Sequence, residues 1–270
     1  MITFTLITCT YNAADVLHPT LDSVLCQTYP HVEHLFIDGA SKDRTLQLIN
    51  DYKTLSDSHQ NGHDVIVRSE PDHGLYDGMN KGIRQATGDY LVFLNAGDRL
   101  PASDTLTKIA AAAEKALCTM TSVNSNDTSN LPAVLYGDTD IVDAEGHFVR
   151  HRRLTPPDRL TYRSFLHGML VCHQAFYART DLAQATPYNL DYHYSADVDW
   201  CIRIMKLAQK RGLQLVRVPT VVSHYLEGGM SVKNHRASLQ ERFHVMASHY
   251  GFLPTLVMHL WFIIRAAVKK

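Results

Sequence analysis

The chain has 270 residues, 45% of them apolar and 20% charged, with a net charge of −1. This is ordinary globular composition, which excludes a disordered segment and gives no sign of a general polyanion binder such as a nucleic-acid protein. Five cysteines (Cys9, Cys26, Cys118, Cys172, Cys201) form no CxxC pair, and sixteen histidines show no HExxH or paired Cys/His spacing. A reducing, cytoplasmic setting without a zinc site is therefore expected.

Met1–Thr8 reads as a first strand and lacks the basic start and long apolar core of a signal peptide. Val16–Gln27 carries Val16, Leu17, Leu21, Val24 and Leu25 at helical spacing. A strand at His34–Ile37 ends at Asp38-Gly39, and Ser41 and Asp43 are N-cap candidates for a helix bearing Leu46, Leu48 and Ile49. Asp64–Arg68 is a third strand, Leu75–Ala86 a helix with Gly88 as its expected C-terminal cap, and Tyr90–Leu94 a fully apolar fourth strand. This alternation predicts an α/β fold with a mostly parallel sheet and helices on both faces.

A helix over Thr105–Leu117 follows, then the polar stretch Thr119–Pro132, which contains a chance glycosylation sequon at Asn126. The expected organisation is residues 1–117 as a donor-binding half and 118–132 as an exposed loop. Residues 133–250 then form an acceptor-binding and catalytic half, and 251–270 a C-terminal amphipathic, basic helix. In the second half, strands are expected at Val134–Gly137, Phe148–Arg152, Gln174–Arg179, Leu213–Val218 and Val221–Tyr225, with helices at Asp197–Gln209, Asn234–Tyr250 and Leu253–Val268. The run Arg150-His151-Arg152-Arg153 reads as a solvated strand, with contact to an anionic acceptor as its functional reading.

Ligands of an open parallel sheet bind beyond the carboxyl ends of its strands. There the sequence places Thr10-Tyr11-Asn12, then Asp38, then Glu70, Asp72 and His73, then Asn95-Ala96-Gly97-Asp98. Each alone is also a good turn or cap residue. Together they suit an anionic nucleotide whose charge is balanced by Mg²⁺ or Mn²⁺ on one or two carboxylates. Asp98 is the metal candidate, Asp38 an acceptor for base or ribose, and Tyr11 a stacking surface. No phosphate-cradling glycine loop is present.

The chain resembles the family 2 inverting glycosyltransferases of the GT-A fold, of bacterial surface-polysaccharide type. The resemblance rests on Ile7–Asn12 (ITCTYN), Ser23–Tyr29 (SVLCQTY), Phe36–Thr45 (FIDGASKDRT), Ser69–Gly82 (SEPDHGLYDGMNKG) and Gly88–Asp98 (GDYLVFLNAGD). It continues through His173–Arg179 (HQAFYAR), Ser195–Trp200 (SADVDW) and Gly228–Ser231 (GGMS), in order. It implies that Thr10, Tyr11, Asn12, Asp38, Asp72 and Asn95 meet the donor and that Asp98 holds a divalent cation. It also implies that Asp197 is the catalytic base, that His173 and Gln174 lie on the acceptor side, and, more loosely, that His224 completes the metal shell. Two departures stand out. The usual companion aspartate of the metal signature is missing at Asn95-Ala96-Gly97-Asp98, and Ala196 replaces the glutamate common before the base. Asp199 is a weaker acceptor-side candidate; two residues on a helix are ~200° apart, so one carboxylate alone can face the substrate.

The expected reaction is transfer of a hexosyl or N-acetylhexosaminyl group from a UDP- or GDP-sugar to a hydroxyl of a glycan or lipid-linked acceptor in cell-surface polysaccharide assembly. The alternatives are a nucleotidyltransferase and an inactive nucleotide- or glycan-binding scaffold. For the terminal helix, attachment to the inner face of the plasma membrane with Trp261 at headgroup level stands beside docking on the core or on another subunit of an oligomer.

Overall fold

The computed structural model describes residues 1–120, 130–228 and 234–268. The middle of the expected loop at 118–132, its sequon, and the GGMS segment beyond Gly228 lie outside these residues.

The first half alternates as its periodicity predicts: β1 (Phe4–Thr10), α1 (Ala14–Leu25), β2 (Val32–Asp38), α2 (Thr45–His59), β3 (His63–Ser69), α3 (Leu75–Gln85), β4 (Tyr90–Phe93) and α4 (Thr105–Met120). β3, β2, β1 and β4 lie side by side and parallel. Alternate residues of β2 point to opposite faces. Phe36 packs with Leu17 and Leu21 of α1 and Ile49 and Tyr52 of α2, whereas Ile37 joins Met79 and Ile83 of α3. Burial on both faces is why these strands read as unbroken apolar runs.

The second half continues the same sheet with β5 (Val134–Val142), β6 (Phe148–His151), β7 (Phe176–Arg179) and β8 (Leu215–Leu226), and with α5 (Thr180–Gln184), α6 (Ala196–Lys210), α7 (His235–Tyr250) and α8 (Phe252–Val268). β7 is antiparallel to both β4 and β5, and so joins the halves; β8 runs parallel to β5. One buried apolar cluster extends from Ile2 to Val245.

Four local expectations change. Leu213–Val218 and Val221–Tyr225 are one strand, β8, whose register against β5 shifts around Asp138 and absorbs the interruption at Pro219-Thr220. The segment expected as a strand from Gln174 begins as a 3-10 turn, His173–Ala175, and becomes strand only at Phe176. α2 starts after Arg44 rather than at Ser41 or Asp43, although the Asp43 carboxylate does accept the Thr45 N–H. Gly88 is not a helix cap: α3 ends at Ala86 in extended backbone. A Cβ at Gly88 would lie 2.8 Å from the Thr5 nitrogen, so this glycine lets the chain pass close to β1.

α8 packs beside α7, with Phe243 of α7 edge-on to Phe252 and His259. Thr255 is buried, whereas Phe252, Leu253, Leu256, Val257, Leu260, Trp261, Ile263 and Ile264 are exposed. At ~100° per residue these exposed apolar positions cover about half the helix circumference, opposite the packed side. No helix among the described residues is long and apolar enough to cross a membrane.

Candidate functional site

The carboxyl ends of β1 and β4, the start of α6 and the end of β8 border one cleft of about 560 Å³. Its lining includes Thr10, Tyr11, Asp72, Asn95, Asp98, His173, Gln174 and Asp197, eight of the residues singled out from sequence.

At one end, Tyr11 is 65% exposed and offers an open ring face. Asp72 accepts the Gly74 N–H at 3.0 Å. A Cβ on Gly39 would lie 2.7 Å from Asp72 Oδ2 and 3.4 Å from Tyr11, so the glycine after β2 keeps this corner open. The Cys9 thiol also lines it, and burial pushes its pKa far up, so it is neutral.

Asp98 occupies the turn after β4. The Thr20 hydroxyl of α1 holds this turn from below: it accepts the Gly97 N–H at 2.8 Å and donates to the Asp98 carbonyl at 2.7 Å. Gly97 has φ +97, and a Cβ there would lie 2.5 Å from Leu226 Cδ2. The Asp98 carboxylate accepts Gln174 Nε2 at 2.9 Å and the Leu226 N–H at 3.0 Å. Burial raises its pKa above the ordinary carboxylate value, opposed by the Leu226 and Gln174 hydrogen bonds.

Asp197 lies in the first turn of α6. Its Oδ2 is 3.3 Å from His173 Nδ1, and His173 Nε2 is 3.1 Å from Asn95 Nδ2. The tautomer satisfying both contacts accepts from Asn95 and donates from Nδ1 to Asp197. Burial pushes the Asp197 pKa up, but the His173 hydrogen bond, the Arg242 charge and the Val198 N–H outweigh it and hold the carboxyl below its usual range. The consecutive residues of the 3-10 turn thus bridge the two aspartates, His173 to Asp197 and Gln174 to Asp98.

The remaining expected residues stand outside the lining. Asp38 is fully buried and accepts from Thr10 Oγ1 (2.9 Å), Ser41 N (2.9 Å), Ser41 Oγ (2.5 Å) and Ser69 Oγ (2.7 Å). These contacts order Thr10 beneath the cleft, and a nucleobase would have to displace one to reach the carboxylate. Asn12, at φ 49, accepts the Lys42 N–H at 2.8 Å and so ties the β1 and β2 loops together. Asp199 points away from the cleft to Arg203 Nε and His249 Nε2, each at 2.7 Å. His224 exchanges backbone hydrogen bonds with Arg99 and is adjacent to Tyr225, which does line the cleft. Arg152 of the basic run donates to the carbonyls of Leu154, Met169 and Leu170.

Sequence reasoning missed Thr20, His193, Tyr194 and Tyr225. For Thr20 a signal existed, a hydroxyl on the buried stripe of Leu17, Leu21 and Val24. For the others the long-range docking of β8 and α6 leaves no local trace.

An extended parallel sheet that switches to antiparallel pairing beside a cleft at its strand ends defines a mixed α/β enzyme of the GT-A class. The Glycosyl transferase family 2 model matches residues 5–183, and the chain belongs to that family. A PGL/p-HBAD biosynthesis glycosyltransferase of Mycobacterium bovis is 34% identical over 230 residues, covering 84% of this chain and 78% of the relative. An uncharacterized glycosyltransferase of Mycobacterium tuberculosis is 32% identical over 204 residues, 74% of this chain and 68% of the relative. The fold is similar to S. aureus TarS 1–349 (TM-score 0.66, 15% identity, 97% of this chain and 72% of that one). It is also similar to the mannosyltransferase PcManGT of Pyrobaculum calidifontis, solved with GDP-Man and Mn²⁺ (TM-score 0.61, 18% identity, 96% of this chain and 69% of that one).

Proposed function

We propose that this glycosyltransferase is inverting and metal-dependent, and that it moves a hexosyl or N-acetylhexosaminyl group from a UDP- or GDP-sugar to a hydroxyl of a glycan or lipid-linked acceptor in cell-surface polysaccharide assembly. The observation that carries this reading is the joint presence of Asp98 and Asp197 in one cleft, each tied to the same 3-10 turn. TarS, solved also with UDP-GlcNAc, and PcManGT, with GDP-Man and Mn²⁺, support the nucleotide-sugar and cation readings.

Asp98 fits a hard divalent cation: it is a carboxylate on the cleft wall, and such cations take oxygen ligands. Among the described residues, three acidic or imidazole ligands converge at the half-buried Asp143 and the exposed Glu145 and His147, and not at Asp98. An ion held by Asp98 would take its remaining ligands from donor phosphate and water. When bound, such a cation neutralises the diphosphate and the charge that grows on it as it leaves.

Tyr11 and Asp72 border the nucleoside, with Thr10 ordered by Asp38 and Asn12 fixing the loop above. Asp197, ionised at neutral pH, accepts the proton of the acceptor hydroxyl while that oxygen attacks the anomeric carbon. The new C–O bond forms on the face opposite the leaving group, the old C–O bond breaks, its electron pair departs with the nucleoside diphosphate, and configuration inverts. His173 orients the Asp197 carboxylate, and Asn95 sets the His173 tautomer. The exposed apolar arc of α8, ending in Arg265, suits an interfacial helix lying on the inner face of the plasma membrane, where a lipid-linked acceptor resides.

Slow hydrolysis of candidate nucleotide sugars with and without Mn²⁺ tests the class of reaction. Release of nucleoside diphosphate that needs Mn²⁺ and falls in Asp98→Asn is expected. Pyrophosphate release from a nucleoside triphosphate would mean a nucleotidyltransferase, and no turnover with any donor a binding scaffold.

A further inference from the structure

The segment before α6 forms part of the cleft wall. His193 and Tyr194 line the cleft there, and Asp197 follows within the first helical turn. Helices expose unpaired N–H groups at this end, and a Ser at the N-cap normally satisfies one. Ser195 makes no such bond; its hydroxyl donates to the Ser238 carbonyl at 3.3 Å. Instead the carboxylate of Glu241, on α7, accepts three successive backbone N–H groups: His193 at 2.7 Å on Oε2, and Tyr194 at 2.7 Å and Ser195 at 2.6 Å on Oε1. A carboxylate at a helix N-terminus is favoured by the dipole, and hydrogen bonds to an ionised acceptor are short and strong. The neighbouring Arg242 lends its positive charge to Asp197. One turn of α7 therefore clamps the wall through Glu241 and places the Arg242 charge near the base.

We propose that Glu241 is a positioning residue for sugar transfer: by clamping the amides of residues 193–195 it fixes the start of α6, so that Asp197 faces the cleft and His193 and Tyr194 form the acceptor-side wall. The inference rests on Asp197 acting as the base. The donor corner at Tyr11 and Asp72 is carried by the end of β1 and the segment before α3, and Glu241 makes no hydrogen bond to either residue.

The test compares full-length Glu241→Gln, Glu241→Ala and Glu241→Asp by amide hydrogen exchange and by kinetics. In Glu241→Ala, exchange at residues 193–195 should rise by at least ~10-fold while β1 and β4 stay protected, with Glu241→Gln intermediate. Turnover should fall by roughly 10–100-fold, as for a misplaced catalytic group. Donor KM should stay within about 3-fold, which separates lost positioning from lost binding. In an Asp197→Asn background Glu241→Ala should cost less than about 3-fold more, because both changes act through one group. Unchanged exchange and turnover would overturn the proposal. So would an equal loss in both backgrounds, or a lower Tm with normal turnover per folded molecule. A wild-type chain that transfers no sugar would sink the transfer reading, while the exchange comparison still decides whether Glu241 orders the start of α6.

Discussion

Asp197 and Asp199 are two positions apart on one helix and meet different surroundings. Asp197 faces the cleft and His173; Asp199 is buried between Arg203 and His249. Asp197→Asn should lower turnover by ~10²–10⁴-fold, the usual worth of general-base help, with donor KM nearly unchanged. Steady-state kinetics would contradict the assignment if turnover stayed near normal. Asp199→Asn should instead act on stability. Burial pushes the Asp199 pKa up, but the His249 hydrogen bond and the Arg203 charge prevail and hold it below the ordinary carboxylate value. A depressed carboxyl stabilises the fold above its unfolded pKa and loses that contribution as pH falls through the folded one. Denaturant titrations should therefore show Asp199→Asn less stable by about 1–3 kcal/mol at pH 7, the worth of hydrogen bonds to a charged group. The gap should shrink below about pH 4, where the unfolded chain's carboxyl begins to protonate while the folded one stays ionised.

The turn after β4 depends on residues from three elements. Thr20 of α1 holds its backbone, Leu226 of β8 closes over Gly97, and Gln174 of the 3-10 turn reaches the Asp98 carboxylate. Gly97→Ala would put a methyl group into Leu226 at a positive φ and should cost about 1–3 kcal/mol in chemical denaturation. Thr20→Val, which leaves the buried Gly97 N–H without an acceptor, should cost a similar ~1–3 kcal/mol. Both should weaken Mn²⁺-dependent stabilisation, and an unchanged metal response would separate Asp98 from the cation. The terminal helix makes a different prediction. Leu260 and Ile264 are each 53% exposed, so Leu260→Asp with Ile264→Asp should leave Tm within about 2 °C, as exposed positions allow. The same pair should abolish sedimentation with anionic vesicles; undiminished sedimentation would refute the interfacial role of α8.

At the scale of the whole molecule, the first half was legible because its signals are local. The apolar run Tyr90–Leu94, bounded by turn residues, suits a doubly buried strand, and the stripe Leu17-Leu21-Val24 marks one buried helix face. The second half is built from long-range pairings that leave weak traces. Pro219-Thr220 reads as a strand break, yet β5 supplies a partner whose register shifts around it. Glu241 reads as one more acid on an exposed helix face, and its partners lie 46 to 48 residues away. Periodicity gave no reason to join Asp98 to Asp197; the family resemblance did, and the fold brings both to one cleft through His173 and Gln174. Asp38 shows the reverse limit: its place at a strand end was legible, but the four donors that saturate it were not.

A crystal of the full chain soaked with Mn²⁺ and an intact UDP- or GDP-sugar, measured at the manganese edge, tests the shared cleft most directly. The anomalous peak should lie within bonding distance of the Asp98 carboxylate and the donor phosphates, with the anomeric carbon turned toward Asp197 and room for a hydroxyl between them. A peak elsewhere, or a sugar ring that Asp197 cannot reach, would contradict it.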